Sequence, residues 1–326
     1  YFVKYKDNVS VTEVDRKIAE QNISDAVSLR QAALPKFNVN YLAKGLGRGD
    51  EILGKIVKIN FAEDVDELNL TSILSIDSDI EYIQKSTTYK MDLMPNDSLV
   101  SQQWALEKIK AFDAWDITTG ADTVLLAIID TGIEYFHPDL ENQIYYNLGE
   151  TGSGKETNGI DDDGNGFIDD YMGWDFVDRV GVPTDTNAGD FHDWDNMPYD
   201  QRSASNGNHG TFVGGIAGAE FNNSIGVAGI APNIKILNIR SFDNGGSGEE
   251  DDAAAAILYA VKLGAKVINM SWGDYTFSYV LRDVIRYAYS QNIVLVASSG
   301  NSGRNELHYP SGYSEVISVG NSTLED

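Results

Sequence analysis

The chain has 326 residues, of which 42% are hydrophobic and 10% aromatic, so its composition is that of a globular protein. The chain has 50 acidic and 24 basic residues and a formal net charge of −26. This charge would repel nucleic acids and anionic membrane surfaces, which argues against both as partners. Cysteine is absent, which excludes thiol catalysis, zinc–thiolate sites and disulfide bonds.

The first 90 residues are predicted to form a small α+β unit. ILGKIVKIN (52–60) alternates apolar and polar residues as a half-buried strand does, and DIEYIQKS (79–86) is predicted to be a second strand. The polar segment between them carries scattered Leu and Ile and is expected to contain a helix. A linker-like segment (91–98) follows, so we place the domain boundary at residue 90.

From residue 91 onward we predict a second, larger domain, because short continuous apolar runs typical of strands buried on both faces begin at residue 123. Segments with helical periodicity, 251–265 and 279–292, lie between the later runs. Buried strands that alternate with helices predict a three-layer α/β domain with a mostly parallel sheet, whose carboxyl edge collects functional residues. The predicted strands are TVLLAIID (123–130), KILNIRSF (235–242), KVINMSWG (266–273), NIVLVASS (292–299) and EVISVG (315–320).

An insertion rich in Gly, Asp and Asn (141–208) interrupts this alternation of strands and helices. Within it, GIDDDGNGFIDD (159–170) resembles the first half of a D-x-D-x-N-G calcium loop, in which hard oxygen ligands lie on a turn. Position twelve is Met172 instead of Glu, so the motif is not a complete EF-hand. A solvated acidic turn is the alternative, but so many carboxylates repel each other without a cation. The candidate calcium ligands are Asp161, Asp163, Asn165 and Asp169.

Two residues are candidates for acid–base chemistry. Asp130 ends the apolar run VLLAIID, and His209 opens the small-residue segment NHGTFVGGIAG (208–218). Each alone has a structural explanation, since such an Asp can cap a turn and a single His is more often structural. Together they fit the template in which a buried Asp orients a His that acts as general base.

Five blocks occur in the order found in subtilisin-like serine proteases, which the chain resembles from about Pro95 to its end. The resemblance is greatest to the thermitase-like, calcium-stabilised branch, and it implies a subtilisin-like fold. The blocks are LAIIDTGIEYFHPDL (126–140), NGNHGTFVGGIAG (206–218), NNSIGVAGIAP (222–232), VINMSWG (267–273) and VASSGNSG (296–303).

This resemblance implies the roles of the site residues. Asp130 is the orienting acid, His209 the general base at the start of a centrally buried helix, and Asn301 the side-chain donor of the oxyanion hole. Phe212 departs from the family's HGTH pattern, in which a second histidine stands at this position.

The substrate groove is implied by the same resemblance. Ser271, Trp272 and Gly273 form one rim, where substrate backbone pairs as an added strand. Trp272 replaces the smaller apolar residue that is common there. The wall of the first specificity pocket is Ser298, Ser299 and Gly300.

Two further calcium sites follow from the resemblance, both structural and not catalytic. One uses Asp175 and Asp178 of GWDFVD. The other combines the side chains of Asp97, Asp139 and Asn223 with the carbonyl groups of Phe221, Ile225 and Val227.

The Gly-Thr-Ser block that carries the family's nucleophile is not found in the 326 residues. We therefore expect these residues to be inactive alone, either as a fragment or as one piece that needs the C-terminal part of the catalytic domain. Residues 1–90 resemble the family's pro-domain, which assists folding and blocks the cleft with its tail. The chain starts without a leader, so any export signal has been removed or never existed.

The leading hypothesis is thus the precursor of a secreted, calcium-stabilised endopeptidase that acts on polypeptides. A catalytically dead calcium-binding or adhesion module on the same fold is the alternative, and a Gly-Thr-Ser-x-Ala stretch in the extended sequence would distinguish the two.

Overall fold

The computed structural model divides into two compact units, Tyr1–Lys90 and Met91–Asp326. Most of the helix expected between the two predicted strands of the first unit lies outside the described residues. In the part of the chain that the structure describes, no helix is both long and apolar enough to cross a membrane. The described residues are 1–21, 37–41, 53–61, 65–66, 70, 74, 77–87, 94–178, 193–200 and 208–325.

The first unit is an antiparallel four-stranded sheet with the order β2-β3-β1-β4 and a helix, α1 (Val11–Gln21). Both predicted strands are present, as β3 and β4. Alternate residues of β3 are buried, Val57 and Ile59 among them, in a core shared with Val3 and Tyr5 of β1. The strands are β1 (Phe2–Tyr5), β2 (Phe37–Tyr41), β3 (Ile56–Phe61) and β4 (Ile80–Gln84).

The second unit contains a parallel six-stranded sheet with the order β10-β9-β8-β5-β7-β6. All five predicted strands of this unit are present, and the mostly parallel α/β architecture is confirmed. Since every strand runs in the same direction, all six carboxyl ends meet at one edge. The strands are β5 (Leu125–Asp130), β6 (Trp174–Asp175), β7 (Lys235–Arg240), β8 (Val267–Met270), β9 (Val294–Ser298) and β10 (Ile317–Val319).

Strand β5 lies at the centre of the sheet and is buried on both faces. Ile129 belongs to a core on one face, which includes residues of two helices, whereas Ile128 belongs to a second core on the other face. This double burial explains the continuous apolar run of the sequence. The helices of the second unit are α2 (Trp104–Lys108), α3 (Ala111–Trp115), α4 (His209–Gly218), α5 (Glu250–Lys262) and α6 (Tyr279–Ser290).

Helix α4 lies against the sheet through a stripe of three glycines. Gly210, Gly214 and Gly218 are its buried residues. A Cβ atom on Gly210 would overlap the carbonyl oxygen of Gly132, which follows β5, so this approach requires a residue without a side chain. The opposite face carries exposed apolar residues, since Phe212 is 69% exposed. The resemblance implied a helix buried on all sides. In the described residues, α4 is buried on one face only.

The close approach of α4 predicts opposite effects for two glycine substitutions. Gly215→Ala is expected to raise the free energy of unfolding by up to about 1 kcal/mol, because no atom lies near the added methyl group and Ala favours a helix. Gly210→Ala is expected to lower it by about 1–3 kcal/mol through overpacking. Urea unfolding of both variants measures the difference, and equal effects would contradict the tight contact.

Candidate active site

Asp130 and His209 form a hydrogen-bonded pair at the carboxyl edge of the sheet. Asp130 is the last residue of β5 and is buried, and His209 is the first residue of α4. His209 Nδ1 lies 2.7 Å from Asp130 Oδ1, which also accepts the Thr131 N–H at 2.8 Å. Because a carboxylate only accepts, Nδ1 carries the proton, and Nε2 keeps the lone pair that a general base needs.

A second buried carboxylate holds the start of α4. Asp200 accepts the N–H groups of Asn208 and Thr211 at 3.0 Å and hydroxyl groups from Thr131 at 3.1 Å and Thr211 at 2.7 Å. Thr131 in turn accepts the Gly210 N–H at 3.0 Å. Asp200 thus satisfies free donors of the first helical turn and fixes the backbone that carries His209. It was not predicted, because nothing in the aperiodic insertion distinguishes it from the other acids.

The pKa of His209 is raised above its ordinary value of 6.5, mainly by the hydrogen bond to Asp130. Burial opposes this shift, and the negative charges of Asp130 and Asp200 add to it. The His209 side chain is 50% exposed and the Asp130 side chain 3% exposed, so the acid is shielded while the base is accessible.

The residues that follow β8 and β9 border a cavity of about 410 Å³. It contains five of the six predicted groove residues together with the predicted oxyanion donor, Asn301. The sixth, Ser299, does not line it, and its N–H donates to Val319 of the neighbouring strand at 2.9 Å. The lining residues are Ser271, Trp272, Gly273, Tyr275, Ser298, Gly300, Asn301, Ser302 and His308.

Trp272 is anchored and does not swing freely in the groove. Its indole N–H donates to the carbonyl of Ile129 at 2.8 Å, and its ring packs on Phe242 with 5.1 Å between ring centroids. The large side chain at this position is therefore held between Ile129 and Phe242 at the border of the cavity.

His308 is a cavity residue that the sequence did not indicate. It is 8% exposed, and its Nδ1 lies 3.1 Å from the carbonyl oxygen of Ser298, so Nδ1 is the donor. The ring lies against Gly273 and Gly300, where an added Cβ would collide with or crowd it. The two glycines predicted for the groove thus also make room for this imidazole.

The structure brings together the residues of one predicted calcium site. Asp97 and Asp139 are both 3% exposed and bind the 222–227 loop: Asp97 accepts the Asn223 N–H at 3.3 Å, and Asp139 accepts the Asn223 amide at 2.8 Å and the Val227 N–H at 2.9 Å. A Cβ on Gly226 would overlap the Asp139 carboxylate. All four oxygens of the two carboxylates accept N–H groups of this loop, and carboxylate oxygen is also a donor that calcium prefers.

In the loop predicted to bind calcium, the carboxylates have neighbours that the motif does not include. The carboxylate of Asp161 accepts the N–H groups of Asn165 and Gly166, and that of Asp169 accepts those of Asn158 and Gly159. Asp161 and Asp163 lie side by side, since the Asn165 N–H donates to both at 3.0 and 2.9 Å. Asp163 also lies close to two acids that the motif did not include, Glu150 and Asp170.

Asp175 has a partner that supplies positive charge without a metal ion. Its Oδ2 lies 2.5 Å from Arg240 Nη1, and both side chains are fully buried. The guanidinium thus supplies to Asp175 the positive charge that a calcium ion would bring to the predicted pair of Asp175 and Asp178.

The second unit is thus an α/β domain with a carboxylate–imidazole pair and an amide-lined cavity at the carboxyl edge of a parallel sheet. This is the class of site used for acyl transfer by Asp, His and a nucleophile. The subtilase family (Peptidase_S8) matches residues 121–326, and the chain belongs to this family.

Curated relatives agree with the family. Thermitase of Thermoactinomyces vulgaris is 36% identical over 71% of this chain and 67% of its own length. A thermophilic serine proteinase of Bacillus sp. strain AK1 is 34% identical over 74% and 49%, and the halolysin-like extracellular serine protease Nep of Natrialba magadii is 34% identical over 80% and 41%. The chain thus spans less than half the length of the latter two.

A solved protease structure from Pseudoalteromonas arctica PAMC 21717 is similar to the chain, with a TM-score of 0.54 and 26% identity. The match covers 69% of this chain and 65% of that one. It supports the subtilisin-like fold.

Replacing Asp130 by Asn is expected to lower the pKa of His209, because burial then acts on the imidazolium without its carboxylate partner. NMR titration of the His209 ring measures this shift. Asp113→Asn, at an exposed position, is the control and is expected to leave the pKa unchanged.

The same pair gives a pH-dependent contribution to stability. Since the folded-state pKa is raised, this contribution is fully present below about pH 6.5 and is lost as the pH rises through the folded-state value. The difference in unfolding free energy between the native chain and Asp130→Asn is therefore expected to be larger at about pH 5.5 than at about pH 9. A difference that is independent of pH would contradict the ion pair.

Proposed function

We propose that this chain is part of a secreted, calcium-stabilised serine endopeptidase that hydrolyses peptide bonds with an Asp-His-Ser triad. The observation that carries the proposal is the 2.7 Å hydrogen bond between His209 and the buried Asp130. Membership of the subtilase family and relatives named as serine proteases support it.

The pair supplies the proton transfers of acyl transfer. His209 Nε2 takes the proton of a serine hydroxyl as the oxygen attacks the substrate carbonyl, and Asp130 stabilises the imidazolium that forms. The imidazolium then gives its proton to the leaving amine. The raised pKa of His209 favours the protonated intermediate of this cycle.

The cavity supplies binding and charge stabilisation. The Asn301 amide is proposed to donate to the oxyanion of the tetrahedral intermediate, where a neutral donor in a partly dehydrated site is effective. The rim from Ser271 to Gly273 pairs with an extended substrate backbone, and Ser298 and Gly300 border the adjoining side-chain pocket.

The nucleophile is the component that these residues do not supply, since the 326 residues contain no Gly-Thr-Ser sequence. We therefore expect the chain by itself to remain uncut and to show no peptidase activity. Residues 1–90 are proposed to act as the pro-domain that inhibits the cleft. Self-cleavage between about residues 86 and 98, detected by mass spectrometry, would overturn this part.

A catalytically dead calcium-binding or adhesion module on the same fold is the second candidate. A fluorophosphonate probe applied to the longest product of the gene separates the two. Covalent labelling at a serine supports the peptidase, and an unlabelled, folded product supports the dead module.

In that longest product, His209→Ala and Asp130→Asn are each expected to lower kcat by about 10⁴-fold, as loss of a triad member does. Asn301→Ala is expected to cost about 10²–10³-fold in kcat with little change in KM, the size known for the corresponding amide of subtilisin. Hydrolysis of a fluorogenic peptide library measures all three. Asp113→Asn is the matched control, and unaltered rates in His209→Ala would refute the mechanism.

Calcium is proposed to bind Asp97, Asp139 and the Asn223 side chain, with the carbonyls of Phe221, Ile225 and Val227. An ion there would neutralise the two buried carboxylates and stabilise the fold by mass action.

Asp139→Asn is accordingly expected to reduce the rise in unfolding temperature that calcium produces relative to a chelator. Asp122→Asn, at an exposed position, should leave that rise unchanged. An equal rise in both variants would exclude this site.

Secretion is supported by the acidic composition, which suits a saline or extracellular setting, and by the extracellular relative from Natrialba magadii. Immunodetection of the gene product in culture medium tests it.

A further inference from the structure

We propose that Glu150, Asp163 and Asp170 form a divalent-cation site, here called the Glu150 site, and that calcium is the ion it selects. The site lies in the acidic insertion but uses two ligands outside the D-x-D-x-N-G motif. The inference goes beyond the peptidase proposal and does not depend on a nucleophile.

The three carboxyl groups converge. One oxygen of each lies within 4.8 Å of the other two. Glu150 and Asp170 are both 0% exposed, and Asp163 forms the open side of the cluster. Buried carboxylates so close together repel each other strongly unless a positive charge or protons lie between them.

One oxygen of the cluster has no protein partner. Glu150 Oε1 accepts the N–H groups of Asp162 at 2.7 Å and Asp163 at 3.1 Å. Glu150 Oε2 is buried and has no hydrogen-bond partner in the part of the chain that the structure describes. An unpaired carboxylate oxygen in the interior is costly, and a cation held between it and the neighbouring carboxylates removes that cost.

The other groups that face the cluster are neutral. The amides of Asn147 and Asn165 each donate to both Asp163 and Asp170, at distances from 2.7 to 3.3 Å, and the Tyr259 hydroxyl donates to Asp170 at 2.7 Å. The oxygens of these amides accept backbone N–H groups, that of Asn147 from Gly149 at 3.0 Å and that of Asn165 from Phe167 at 2.7 Å, so the ligands proposed for the ion are the carboxylate oxygens.

The two lysines bonded to this region do not neutralise it. Lys155 donates to the carbonyl of Gly149 at 2.9 Å, and Lys262 donates to the carbonyl of Asn165. Within the described residues, no Lys or Arg forms an ion pair with the three acids. We infer that a cation from solution supplies the positive charge.

Gly149 leaves space for the side chain of Asp163, the ligand on the open side of the cluster. A Cβ atom there would overlap the Asp163 side chain. The proposed ligands are carboxylate oxygens, which disfavours zinc and copper and suits calcium, whose flexible six- to eight-fold coordination water can complete.

The experiment measures terbium and calcium binding to the 326-residue chain in an Asp139→Asn background, which removes the other proposed calcium site. Terbium emission excited through aromatic residues is expected, because Tyr259 contacts Asp170, and calcium should displace terbium. Glu150→Gln is expected to weaken calcium binding by at least about tenfold, since it removes one ligand charge. Asp162→Asn, an exposed acid of the same loop, should change it less than about twofold.

Thermal unfolding separates a ligand from a structural glutamate. In chelator, Glu150→Gln should be at least as stable as the parent, because it relieves repulsion, whereas in calcium the parent should be the more stable. A variant destabilised equally in both conditions would make Glu150 structural and overturn the proposal. Absence of saturable calcium binding by the Asp139→Asn parent would also overturn it, and neither result bears on peptidase activity.

Discussion

The contact between the first turn of α4 and the chain just after β5 determines the geometry of the site. Gly210 has no side chain, so its backbone reaches the carbonyl of Gly132. This contact brings His209 Nδ1 within 2.7 Å of Asp130. The backbone contact thus places the two side chains within hydrogen-bonding reach of each other. The glycine stripe is thus structural, and the catalytic proposal depends on it.

Buried negative charge is the second constraint, and the chain meets it in several ways. Asp130 has an imidazole partner, Asp175 a guanidinium, and Asp200 a set of hydroxyl and N–H donors at a helix start. Among the described residues, unpaired carboxylate oxygens remain on Asp130, Glu150 and Asp252, and of these only the oxygen of Glu150 belongs to a cluster of three acids. This clustering is the reason why we propose an ion at the Glu150 site and not at Asp130 or Asp252.

The features that depend on the local pattern of apolar and polar residues could be predicted from the sequence. The apolar runs gave the central strands, and the position of Asp130 at the end of one run placed it at the functional edge. Asp200, His308 and Glu150 were not predictable, because each becomes significant only when distant segments pack together. The D-x-D-x-N-G motif indicated the acidic turn, but it could not indicate Glu150 and Asp170, the acids that lie close to Asp163 in the structure.

The insertion of residues 141–208 also holds the elements that carry Asp130 and His209 in place. It is tied to α5 through Asp170 and Tyr259, to the end of β7 through Asp175 and Arg240, and to the end of β5 through Asp200. Arg240 and Asp130 are register partners on neighbouring strands, so these ties lie along the edge that carries the catalytic pair. The segment with least secondary structure thus fixes the helix that presents His209, and its acids need compensation because they are buried where they provide this support.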